Sequence, residues 1–207
     1  MLQEGQVGPQ TLALGARSII RQGPSGEVNV GDAHARFQEA VSRGNCYAVA
    51  DQTGAALAAG LSASPVNVCL FNPKGNNKLA VIWRASIVSA VAPAAIVAVW
   101  IGVNTDIAAA AVTGTAAAPQ NCMVGNANRS SISAFRTATL PAVPVAALVL
   151  GVIFTGAITT IPQQQSLGGW LDGSLIIAPG GAVSFQGSAA SGAAACFADW
   201  VWEEIPI

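Results

Sequence analysis

At 207 residues the chain is long enough for one large domain or two small ones. Only 9% of it is charged, against roughly 25% in an average soluble protein, and the formal net charge is −1. That balance gives no sign of a basic nucleic-acid groove or of an anionic membrane partner. A surface so poor in charge repels its own kind weakly, so much of it is expected to be covered by further copies or by another protein.

The first 51 residues carry nine of the nineteen charges: Glu4, Arg17, Arg21, Glu27, Asp32, Arg36, Glu39, Arg43 and Asp51. Apolar periodicity is weak there and QGPSGE is a cluster of chain breakers, which predicts an extended arm with one or two short elements over 1–50. MLQEGQVGPQTLAL lacks a basic segment followed by an apolar one, so no signal peptide is expected. HARFQEAVSRG fits a short amphipathic helix, with Phe37 and Val41 four apart, and fits a strand equally well. The single histidine, His34, stands near Asp32 and Glu39. One histidine with two carboxylates is too few ligands for a typical metal site, and no GxSxG frames a nucleophile.

Residues 51–207 read as a domain of short apolar runs split by turns. VNVCLF is a strand. NPKGNNK then carries Lys74 and Lys78, the two lysines of the chain. It lacks the second glycine and the Ser/Thr of a phosphate-binding loop, and an alternating strand follows instead of a helix. A hairpin loop is expected, with positive φ available to Gly75 and Asn76. In KLAVIWRASIV, strict alternation puts Leu79, Val81, Trp83, Ala85 and Ile87 on one face. Pro93 makes a corner, and AAIVAVWIGV sets Val97, Val99, Ile101 and Val103 on one face. NTDIAAAAVTGTAAAPQN has too little side-chain bulk for a core and reads as a long surface connection. RSSISAFRTATL is a half-polar strand, and VAALVLGVIF reads as a strand buried on both faces. LIIAPGGAVSFQG is the clearest hairpin, with Pro179-Gly180 suited to a type II turn. ACFADWVWEEIPI closes the chain. Its Glu203 and Glu204 point to opposite faces, the inward one paired with an arginine such as Arg84 or Arg136.

The 35 residues without charge between Arg136 and Asp172 are long enough to span a membrane, but prolines interrupt them and β-branched residues dominate, which favours strands. Cys46, Cys69, Cys122 and Cys196 form no CxxC pair and read as small buried hydrophobes. Two of the five tryptophans, Trp200 and Trp202, share a face, as core or interface packing demands; exposed aromatics would instead suit sugar binding. Roughly eight strands without alternating helices predict an all-β antiparallel β-sandwich, jelly-roll-like, with the N-terminal arm attached.

The succession LFNPKGNNKLAVIWRASI, LIIAPGGAVSF and WVWEEIPI, preceded by GDAHARFQEAVSRGNCYAVADQTG, resembles small virion proteins of tailed bacteriophages over residues 26–207. That resemblance implies a β-sandwich bound to the outside of the capsid as a decoration or cement protein. Its partners would be the major capsid protein and copies of itself, commonly as a homotrimer. It implies no catalytic residue, cofactor or metal. Its place would be the outer capsid surface of a virion assembled in the host cytoplasm. A head-fibre, tail or carbohydrate-binding adsorption role is the alternative. Arg17, Arg21, Lys74 and Lys78 are the expected contacts to the capsid or to neighbouring subunits.

Overall fold

The computed structural model describes residues 37–91, 93, 95–105, 107, 112–154, 165–191 and 196–207. Residues 1–36 of the expected arm, with Arg17, Arg21 and His34, lie outside the described residues. Every strand of the fold belongs to the unit Ala40–Ile207.

The described residues open with a single helical turn, α1 (Gln38–Ser42), so the helix reading of HARFQEAVSRG holds over five residues. Gly44 ends it at φ +71°, with Gly44 N–H donating to Val41 O and Asn45 N–H to Ala40 O. Those two bonds are the glycine-terminated Schellman cap of a helix.

The strands that follow are β1 (Cys46–Ala50), β2 (Cys69–Phe71), β3 (Lys78–Ser89), β4 (Val97–Asn104), β5 (Thr113–Ala117), β6 (Gln120–Asn121), β7 (Ser133–Thr139), β8 (Val145–Ile153), β9 (Gln165–Ile177), β10 (Ala182–Gly187) and β11 (Cys196–Pro206). They form two antiparallel sheets, ordered β6-β1-β11-β3-β9 and β5-β7-β2-β10-β4-β8. The chain switches sheet at every step from β1 to β4 and again from β8 to β11. The resulting cores, β1-β11-β3-β9 facing β2-β10-β4-β8, are the two four-stranded sheets of a jelly roll. β5, β6 and β7 are additions at one edge. Because β1 lies inside its sheet, the sandwich starts before residue 51, and Cys46–Ala50 belong to it and not to the arm.

The core lies between the sheets, where Leu70, Ile82, Ile87, Val97, Val99, Ile101, Phe185, Trp200 and Trp202 are buried. The expected inner face of β4 holds, with Val103 packed partly against it. In β3 the expected face does not hold. Ala80 and Ile82 point inward, then Ala85 and Ile87 do. The pairing with β11 steps from Ile82↔Trp202 to Arg84↔Val201, which leaves Trp83 as an extra residue. One bulged residue reverses the period-two pattern, so a single alternation cannot span the strand.

Both expected hairpins turn as predicted but join different partners. Asn76 N–H donates to Pro73 O across Gly75 at φ +95°, and Gly181 N–H donates to Ala178 O across Gly180 at φ +85°. Glycine at the third turn position with proline at, or just before, the second fits these turns. Yet β2 and β3 lie in opposite sheets, as do β9 and β10. Each loop is an inter-sheet corner, because the flanking apolar runs face each other across the core and do not pair edge to edge.

The Ala/Thr-rich stretch is likewise more than a surface connection. Its described residues include β5, which pairs with β7, and β6, which pairs with β1. Ile107 and Val112 join Cys69, Phe71, Ala138, Leu140 and Ala182 in a second cluster on the outer side of the six-stranded sheet. Backbone pairing and two branched residues supply what the alanines lack. Among the described residues, no helix is long and apolar enough to cross a membrane.

Candidate functional site

Three features of the sandwich carry polar or exposed chemistry: a buried carboxylate at one end, a groove holding two arginines on the five-stranded sheet, and an apolar strand at the edge of the other.

At the corner end, Asn72 is fully buried and ties both inter-sheet turns together. Its N–H donates to Gly181 O at 2.9 Å and its carbonyl accepts from Gly180 N–H at 2.8 Å. Its side-chain amide donates to Lys78 O (2.8 Å) and Ile177 O (2.9 Å), and its side-chain oxygen accepts from Asn76 Nδ2 (2.8 Å). Beside it β11 turns Glu204 inward, 1% exposed. Glu204 accepts from Lys78 Nζ (2.9 Å), Ser130 Oγ (2.6 Å), Ser131 N–H (2.9 Å) and Ser131 Oγ (2.8 Å). Burial alone would raise this carboxyl; the bonds from Ser130, Lys78 and Ser131 together outweigh it and hold the group below its ordinary range.

The inward glutamate was expected on an arginine. Lys78 takes it instead, because β3 and β11 run antiparallel with Lys78 opposite Pro206, which brings Lys78 alongside Glu204 on the inner side. Arg84 faces Asp199 (Nε to Oδ2, 3.6 Å) and Arg136 faces Asp51 (Nε to Oδ1, 2.9 Å). Thus of the two lysines expected to reach a neighbour, Lys78 is committed inside the domain, and Lys74 is exposed on the turn.

The groove, about 730 Å³, lies where the β5–β6 connection overhangs β1 and β11. Ala48, Ala50, Gln52, Arg84, Arg136 and Asp199 line it. Ser86 Oγ donates to Asp199, and Arg136 also donates to Thr53 O (2.7 Å) and to the Thr53 hydroxyl. Asp51 accepts further from Val68 N–H at 3.3 Å. Burial pushes the Asp51 carboxyl up, against the pull of these donors. Both arginines of the groove therefore face carboxylates of the same domain. Among the described residues no group of three or more His, Cys, Asp or Glu converges on a point.

The third feature contradicts its sequence reading. β8 was expected to be buried on both faces, yet it is the edge of its sheet. Val145 is 69% and Val149 72% exposed, with Val143 just before the strand and Phe154 just after it also exposed. No charge occurs between Arg136 and Asp172, so this edge carries none of the lysines that usually blunt an open strand.

Of the tryptophans, Trp200 and Trp202 lie in the core, as their shared face predicted. Trp200 packs on Phe185 at 4.4 Å and donates to Val68 O at 2.9 Å; Trp202 stacks on Tyr47 at 6.1 Å. Trp170 on β9 is exposed and sits opposite Arg84.

Asn72, Ser130, Ser131 and the Arg84–Asp199 pair were not foreseen. The signal for Asn72 was present, an asparagine immediately before a turn proline at a strand end, but its partners lie up to 109 residues away.

Fold and site together define an all-β jelly-roll domain in which Lys78, Arg84 and Arg136 are paired internally and one edge strand is open and uncharged. No family model, no curated protein and no solved structure matches the chain.

Proposed function

We propose that the protein is a non-enzymatic structural component of a phage particle, bound to the outside of the capsid as a decoration or cement protein and associated with copies of itself. The observation that carries this reading is β8, an uncharged strand whose Val145 and Val149 stand in water although its composition is that of a buried strand. Contiguous exposed apolar surface on a soluble domain marks an interaction site. Two register shifts against β4 twist this edge. Bulges disfavour further strand pairing, so the contact uses the valine side chains more than the backbone ladder.

Two further points support it. The jelly roll recurs in viral capsid proteins as well as in lectins, which is a fold-level analogy. The sequence resemblance to small phage virion proteins points the same way. Self-association at a homotrimer axis is the form that resemblance suggests.

Exposure of Trp170 beside Arg84 favours a second reading, adsorption to glycans through a stacked aromatic. Co-sedimentation with purified heads of the phage that carries this sequence, run beside a glycan array, separates the two. Saturable binding to heads with no glycan signal is the expected result. Glycan binding without head binding would replace the first reading by the second.

A further inference from the structure

Of the four cysteines, all reduced, Cys46 and Cys122 face each other. Tyr47 pairs with Asn121 and Ala48 with Gln120, so the same antiparallel register sets Cys46 opposite Cys122. Cys122 N–H donates to Cys46 O at 2.9 Å, which continues the ladder by one residue. Directly opposed residues of an antiparallel pair put their side chains on one face. A hydrogen-bonded pair of this kind has its Cα atoms about 5.5 Å apart, inside the window of roughly 4.4–6.8 Å that a disulfide spans. The other two cysteines have no such relationship: Cys69 sits in the outer cluster and Cys196 in the main core.

We propose that Cys46 and Cys122 are a site of reversible disulfide formation that fastens β6 to β1. The chemistry requires a small-molecule disulfide as oxidant. The Cys122 thiol, the less buried of the two, loses its proton and attacks one sulfur of the oxidant. That forms a mixed disulfide and releases one small thiol. Cys46, deprotonated, then attacks the Cys122 sulfur, closes the protein disulfide and releases the second thiol. Two protein thiols give up two protons and two electrons, and the oxidant's disulfide bond is reduced to two thiols.

The surroundings set the rate and the consequence. Burial, then Glu203 and Cys122 itself, push the Cys46 thiol up to about 12, so ring closure is slow at neutral pH and quickens as pH rises. Closure fixes the chain around residue 122 to β1. There Asn121 Nδ2 donates to Gly44 O at 2.7 Å, and Gly44 leaves no space beside Asn126 for a Cβ. It also anchors the β5–β6 connection that walls the groove. Oxidising surroundings favour the closed pair and reducing ones the open pair.

The test uses the full-length native protein, prepared under reductant, exchanged into oxidised glutathione at pH 8.5, alkylated and digested without reduction. The expected product is one peptide pair joined through Cys46 and Cys122, lighter by two hydrogens. It comes with a thermal midpoint several degrees higher that dithiothreitol returns to its starting value. The conservative variants Cys46→Ser and Cys122→Ser each abolish the linked pair and the midpoint shift. Full alkylation of both thiols after oxidation and unfolding overturns the proposal. So does a stable mixed disulfide on Cys122 that never closes, or a link to any other cysteine.

Discussion

Lys78 Nζ stands 2.9 Å from Glu204 Oε2, with the lysine about one third exposed and the glutamate 1% exposed. The pair joins the first residue of β3 to the inner face of β11 at the end of the sandwich where the corners meet. Its free-energy sign follows from the direction of the shift. Glu204 has a folded pKa below its ordinary 4.5, so the stability it contributes is fully present above that value and is lost as pH falls through the folded value. Asp51 acts oppositely: its carboxyl is raised in the fold, so ionisation costs stability that is recovered as pH falls through the raised value. Glu204→Gln is expected to cost about 2–3 kcal/mol at pH 7. The gap between variant and wild type should narrow as pH falls below 4.5 and through the lowered value of Glu204. Denaturant titrations across pH 3–7 check this; a gap independent of pH would contradict it.

Asn72→Ala removes two donors from buried or half-buried carbonyls and one acceptor from Asn76. A loss of about 2–4 kcal/mol is expected, since carbonyls left without partners bear their full desolvation cost. Thermal unfolding measures it. A shift no larger than that of a surface substitution would show that the corners hold without this staple.

Gly168 in β9 has φ +101°, and a Cβ there would lie 2.2 Å from Ala85 O of the paired strand. Backbone cannot retreat from such a contact without opening the β3–β9 ladder. Gly168→Ala is therefore expected to cost at least about 2 kcal/mol, whereas Gly169→Ala, with open space beside it, should cost much less. Comparable midpoints for the two variants would contradict this.

Trp170 is 58% exposed, and Trp200 and Trp202 are fully buried. Acrylamide quenching of wild type should show an accessible component that Trp170→Phe reduces to the contribution of half-buried Trp100, so that the unquenched fraction rises. An unchanged quenching curve for the variant would place the accessible indole elsewhere.

The fold was legible because its strongest signals are local. Runs of Val and Ile, turn pairs such as Pro179-Gly180, and the absence of helical periods are properties of neighbouring residues, and they lead to an antiparallel sandwich. Partner choice is not local. Nothing near Pro73 or Pro179 says whether the flanking runs pair with each other or cross between sheets, so corners read as hairpins. The extra residue at Trp83 is set by pairing with β11, and it reverses a face that alternation alone assigns. Lys78 and Glu204 are 126 residues apart and meet only through that same pairing. β8 shows the opposite failure: its apolar composition reports burial, and the isolated domain leaves it exposed.

That discrepancy at β8 is what the assembly reading explains, and co-sedimentation with phage heads tests it most directly. Wild type is compared with a Val145→Lys, Val149→Lys double variant. Both side chains are mostly solvent-exposed, so the variant should keep its stability within about 0.5 kcal/mol per site. The expected result is wild type pelleting with heads at a fixed stoichiometry while the folded variant stays in the supernatant. Equal pelleting of the two proteins, or wild type that remains soluble in the presence of heads, would contradict it.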